Sequence, residues 1–125
     1  MKYSISKVVD FPYEKAIERV TEELKKEGFG ILTTIDVRET LKNKLNVDYP
    51  RYVILGACNP AFAHQALLTD EEIGLFLPCN IIVYEKNGKT HISVFDPSIM
   101  AKFTTNITPI AQSVREKLER VLAGI

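Results

Sequence analysis

The chain has 125 residues, 46% hydrophobic and 26% charged. That suits one globular domain, residues 1–125, burying about two-thirds of its unfolded surface with no need of a disulfide or metal staple. Sixteen basic and sixteen acidic residues cancel, which excludes a global field drawing the protein to nucleic acid or anionic lipid. No apolar run approaches the roughly 20 residues that span a bilayer, and Met1 to Lys7 lacks an apolar stretch of secretory length. The expectation is a cytoplasmic protein, no membrane partner, and thiols kept reduced.

Lys2 to Val9 alternates as a first strand, with Tyr3, Ile5 and Lys7 on one face and Ser4, Ser6 and Val8 on the other. Asp10-Phe11-Pro12 starts a helix, Asp10 or Phe11 capping and proline in the first turn. Its apolar stripe is Ala16, Ile17, Val20 and Leu24, and Gly28 ends it. Ile31 to Val37, rich in β-branched residues, reads as a second strand. Arg38 to Lys44 follows as a short helix with Leu41 and Leu45 turned inward. Asp48-Tyr49-Pro50 is a turn, and Tyr52 to Leu55 a buried strand ending at Gly56.

Asn59 and Pro60 suit the N-cap and N1 of the next helix, which shows Phe62, Ala63, Ala66 and Leu67 on its apolar face. Thr69 to Glu72 opens a turn or short helix closed by Gly74. Pro78 to Glu85 and Thr90 to Phe95 are strands joined through Asn87-Gly88, whose residues favour the positive φ angles of a type I′ hairpin. Met100 to Thr105 reads as irregular. Thr108-Pro109 then caps a last helix with the stripe Ile110, Val114, Leu118, Val121 and Leu122. The predicted class is α+β: a two-layer sandwich with a mainly antiparallel sheet of about five strands, two long helices and one or two short ones.

Both cysteines lie in Cys-Asn contexts, Gly56-Ala57-Cys58-Asn59-Pro60 and Leu77-Pro78-Cys79-Asn80. Cys58 precedes a helix N-terminus, whose partial positive charge favours a thiolate. It is therefore the first candidate nucleophile or sulfur carrier, with Cys79 as resolving or second thiol. Asn59, Pro60 and Asn80 are the accompanying ligand-binding candidates. Three readings stay open: a thiol-based sulfur, redox or metal site; a non-catalytic homodimeric module binding a small anion or a protein at that helix N-terminus; and thiols that only pack. The sequence requires no cofactor. A zinc ion would need His64 or His91 to join Cys58 and Cys79, in a spacing that matches no zinc-finger pattern. Asp36 and Asp96, at strand ends, read as caps. Nucleophile-elbow, Walker and dinucleotide fingerprints are absent, so no enzyme class is assigned.

The cysteine motifs belong to a wider pattern. Gly28-Phe29-Gly30-Ile31-Leu32, Ile35-Asp36-Val37, Ile54 to Pro60, Leu77 to Asn80, Val83-Tyr84-Glu85 and Asp96-Pro97 together resemble the domain-of-unknown-function family 302, over nearly the full length. The resemblance implies a compact two-layer α+β fold, an antiparallel-rich sheet and a homodimer, but no reaction. The occurrence of some relatives beside or fused to rhodanese-like domains implies, by association, thiol or persulfide chemistry and a sulfur-handling protein partner.

Overall fold

A computed structural model describes residues 2–125. Five strands, β1 (Ser4–Val9), β2 (Gly30–Asp36), β3 (Tyr52–Cys58), β4 (Cys79–Lys86) and β5 (Lys89–Phe95), form one sheet in the order β1-β5-β4-β3-β2. Every neighbouring pair is antiparallel. The β4–β5 hairpin turns at Asn87 (φ 54°) and Gly88 (φ 73°), the two positive φ angles that a type I′ turn requires. Alternation sets the faces. Val53, Leu55 and Ala57 of β3, Cys79, Ile81 and Val83 of β4, and Ile92 and Val94 of β5 point into the core.

Helix α1 (Tyr13–Lys26) and helix α4 (Thr108–Ala123) cover that face as the second layer. Ala16, Val20 and Leu24 of α1 meet Val114, Leu118, Val121 and Leu122 of α4 in one cluster with the strand residues. A smaller cluster, Ala66, Ile73, Met100, Ile107 and Ala111, lies beneath helix α3 (Pro60–Thr69) and two 3₁₀ turns, Glu71–Phe76 and Pro97–Lys102. The α+β two-layer architecture and the antiparallel sheet are thus as expected. Asp36 and Asp96 are caps: Asp36 accepts from the Glu39 N–H at 3.0 Å, and Asp96 from the Ser98 N–H at 3.0 Å.

Several local expectations need correction. Pro12 is the N-cap of α1 and no side chain caps it; Asp10 pairs with Lys89 instead, tying the first loop to the hairpin. Thr108 is the first residue of α4, with Ile107 at the N-cap. Strand β3 does not stop at Gly56 but runs on to Cys58. Gly56 is there for close approach: a Cβ would overlap Thr33 Oγ1 and stand 2.8 Å from Pro78 Cγ. The stretch Met100 to Thr105 is largely 3₁₀ rather than irregular. Finally, helix α2 (Val37–Leu45) forms but buries nothing, and Leu45 faces solvent at 66% exposure. Amphipathic spacing predicts a face, and here the molecule supplies no surface to receive it.

Candidate functional site

The chain reverses twice at one end of the sheet, where β3 leads into α3 and where the 3₁₀ turn leads into β4. Ala57 faces Cys79 across the β3–β4 ladder, so the two Cys-Asn motifs meet as neighbours on adjoining strands. Cys79 points into the helix-side core and is buried, whereas Cys58, at the last position of β3, is half-buried. Both line one cleft. Its walls are Phe62, Ala63 and Ala66 of α3, Ile110 and Val114 of α4, and Phe29, Leu77, Pro78 and Met100 from the loops between. Counting its open mouth the cleft holds about 390 Å³, yet only about 30 Å³ of it admits the centre of a water. Its lining is almost wholly apolar.

Burial pushes the Cys79 thiol up to about 11, and the neighbouring Cys58 adds to the shift. Cys79 therefore keeps its proton at neutral pH, and Cys58 is the more exposed of the two thiols.

Asn59 has a structural task. Its Oδ1 accepts from the Phe62 N–H at 3.5 Å as the α3 N-cap, and its Nδ2 donates to the Glu27 carbonyl at 3.3 Å. The carbonyl belongs to the C-cap of α1, which Gly28 closes at φ +83°. A Cβ at Gly28 would come within 3.1 Å of Asn59 Nδ2, so the turn and the cap fit each other. The first-turn donors of α3 are largely spent: Pro60 has no N–H, Phe62 gives its own to Asn59 Oδ1, and Ala63 bonds the Asn59 carbonyl. That leaves little of the anion-binding N-terminus that the sequence suggests.

The remaining candidates lie elsewhere. Asn80 is exposed, pairs with Gly56, and lies in a separate shallow groove with Leu75, Phe76 and Phe95. His64 is exposed on α3 and does not line the cleft. Among the described residues no group of three or more His, Cys, Asp or Glu side chains is placed to hold a metal ion. Sequence reasoning missed Phe29, Met100, Ile110 and Val114 as cleft residues. The periodicity of α4 does mark Ile110 and Val114 as inward, but only the fold says which inward residues border a cleft.

Across the sheet face away from the helices runs a row of rings. Tyr52 stacks on Tyr84 at 5.3 Å, Tyr84 on His91 at 5.0 Å, and Tyr49 meets Tyr52 edge-on at 6.3 Å. The two stacked contacts are cross-strand pairs on β3, β4 and β5, and Tyr49 joins them from the loop before β3. Because the rings occupy one another's faces, the row stiffens the sheet and leaves little open ring surface for a base to stack on.

Residues 5–125 match the model of the domain of unknown function DUF302. An uncharacterized protein of Aquifex aeolicus is 26% identical over 110 residues, covering 86% of this chain and 70% of that protein. A crystal structure of an uncharacterized conserved DUF302 protein from Bacillus stearothermophilus superposes with a TM-score of 0.91 at 32% identity, covering 98% of both chains. Among the described residues no helix is long and apolar enough to cross a membrane.

Proposed function

The chain belongs to the DUF302 family, and on that footing we propose that the cleft at the ends of β3 and β4 binds a small, largely apolar molecule against the Cys58 thiol. One observation carries the reading: two cysteines 21 positions apart in the chain line the same apolar cleft, one half-buried and one buried. With about 30 Å³ open to the centre of a water, the cleft lies far below the roughly 300–1,000 Å³ of ligand sites and has to widen to take an occupant. The occupant is therefore small and contacts Phe62, Ala63, Ile110 and Val114 more than any charge. Cys58 is the nucleophile or carrier sulfur. Cys79, buried and protonated, is the second thiol and not the attacking one.

The same proposal places the protein in the cytosol, where two unbridged thiols stay reduced, and includes a homodimer. The test is labelling of Cys58 with an apolar maleimide and with iodoacetamide, in the native protein and in Ala63→Trp. An apolar cleft predicts that the maleimide reacts faster than its intrinsic reactivity allows, and that Ala63→Trp removes this advantage. Equal relative rates in both proteins would sink the reading.

A further inference from the structure

Helix α4 runs along the cleft and then past its edge. Ile110 and Val114 line the cleft, and Lys117 comes seven residues after the first and three after the second. That spacing keeps side chains in one row on a helix face. The next member of the apolar row is thus a lysine, whose ammonium lies 5.9 Å from the centre of the Phe62 ring. Phe62 is itself a half-buried wall of the cleft. The negative face of a ring attracts a cation within about 6 Å, so Lys117 covers a cleft wall with a charge.

The C-cap of α1, the N-cap of α3 and the last turns of α4 meet beside that ring. The Glu27 carbonyl accepts from Asn59, a cleft residue, and Glu27 Oε1 accepts from Arg120 Nε and Nη2 at 3.1 and 3.0 Å. Lys117 reaches the same Oε1 only at 3.8 Å, too far for a hydrogen bond. Glu116, four residues before Arg120, also acts on the arginine's charge. Arg120 is therefore the better satisfied cation. Among the described residues Glu27 is the one ion-pair partner of Lys117, and Arg120 already holds it. No charged side chain lines the cleft itself.

We propose that the occupant of the cleft is a small aliphatic or aryl carboxylic acid, its apolar body between α3 and α4 and its carboxylate on the Lys117 ammonium. The inference rests on the cleft reading above and names the class of molecule taken up there. An apolar lining with a single weakly engaged cation at its edge is complementary to an amphiphile with one anionic end. Turning toward such a ligand costs Lys117 little, because Arg120 keeps Glu27 paired. The charge selects a carboxylate over a phosphate ester. The ester carries about −1.5 to −2 at pH 7, more than one ammonium offsets, and would bring that charge up to Glu27.

The test is a titration of the full chain with sodium hexanoate and with hexanamide, its uncharged counterpart, followed through the methyl chemical shifts of Met100, Ile110 and Val114. Both compounds should move these methyls, and hexanoate should bind on the order of tenfold tighter. Lys117→Met keeps an apolar stem over Phe62 and should bring hexanoate down to the affinity of hexanamide, whereas Lys117→Arg should retain the preference. Equal or reversed affinities in the wild type, or a preference that survives Lys117→Met, overturn the carboxylate and leave the cleft standing. If neither compound moves the methyls, the cleft reading falls and this inference with it. Should Lys117→Met not fold, salt decides on the wild type: the preference for hexanoate should shrink as ionic strength rises, and a preference indifferent to salt contradicts an ammonium at the rim.

Discussion

Raising the pH should unfold this protein partly through one thiol. Cys79 is 7% exposed, and its pKa is raised from an ordinary value of 9.0 to about 11. A raised folded-state pKa means that the native state holds the proton more tightly than the unfolded chain does. The contribution of Cys79 is therefore fully present below pH 9 and is lost as the pH climbs toward 11. Two pKa units correspond to about 2.7 kcal/mol at the limit, and integration from pH 8 to pH 11 gives a loss of about 2 kcal/mol. Tyrosines and lysines titrate in the same window, so the comparison must be with Cys79→Ala. Urea unfolding of both proteins at steps from pH 8 to pH 11 should show the wild-type advantage over the variant shrinking by about 2 kcal/mol. Parallel stability profiles would refute the reasoning, because they would mean that the thiol ionises as freely in the native protein as in the unfolded chain.

Other outcomes follow from the packing. Gly56→Ala should cost about 2–4 kcal/mol, since the added methyl overlaps Thr33 and Pro78; combining it with Thr33→Ala should recover part of the loss in thermal denaturation. Asp96 is 7% exposed and receives the Ser98 hydroxyl at 2.7 Å and the Arg115 guanidinium at 2.8 Å. Arg115→Met should therefore destabilise by about 1–3 kcal/mol, because it removes one partner of a buried carboxylate. Burial pushes the Asp96 carboxyl up, but the Ser98 and Arg115 bonds outweigh it and hold it below its ordinary value. Its stabilisation is thus present above pH 3.8 and lost as pH falls below it. In Arg115→Met the acid limb of a melting profile should be shallower than in the wild type.

Where local chemistry decides, the residues were readable. Asn87-Gly88 marks the hairpin because few other pairs accept two positive φ angles. Asn59-Pro60 marks the head of α3 through a cap and a missing donor. The stripe of α4 marks its inward face. Strand order, by contrast, rests on tertiary pairing, so that Ala57 facing Cys79 had no local sign. Gly56 shows the limit well. It reads as a strand terminator, but its lack of a Cβ serves Thr33 and Pro78, which lie 23 and 22 positions away in the chain. Leu45 shows another: its helical spacing predicts burial, and the single chain offers nothing to bury it. The cysteine pattern marks two stretches that line one cleft. Packed thiols and a capping Asn59 are among the sequence readings, but which thiol is buried, and the second bond of Asn59 to the C-cap of α1, have no local sign.

Cys58 and Cys79 line one cleft with Cys58 the more exposed thiol, and native alkylation resolved by peptide mass spectrometry tests that arrangement most directly. With a pKa of about 11, Cys79 is ionised at pH 7.5 to about three parts in ten thousand, roughly 300-fold less than a free thiol of pKa about 8.5. Burial slows it further. Cys58 should be modified in the folded protein, and Cys79 at least some 300-fold more slowly than a free thiol until denaturant is added. Prior filling of the cleft by an apolar adduct on Cys58 should leave Cys79 still slower. Rapid native modification of Cys79, or a Cys58 that stays inert until the protein unfolds, would contradict the site.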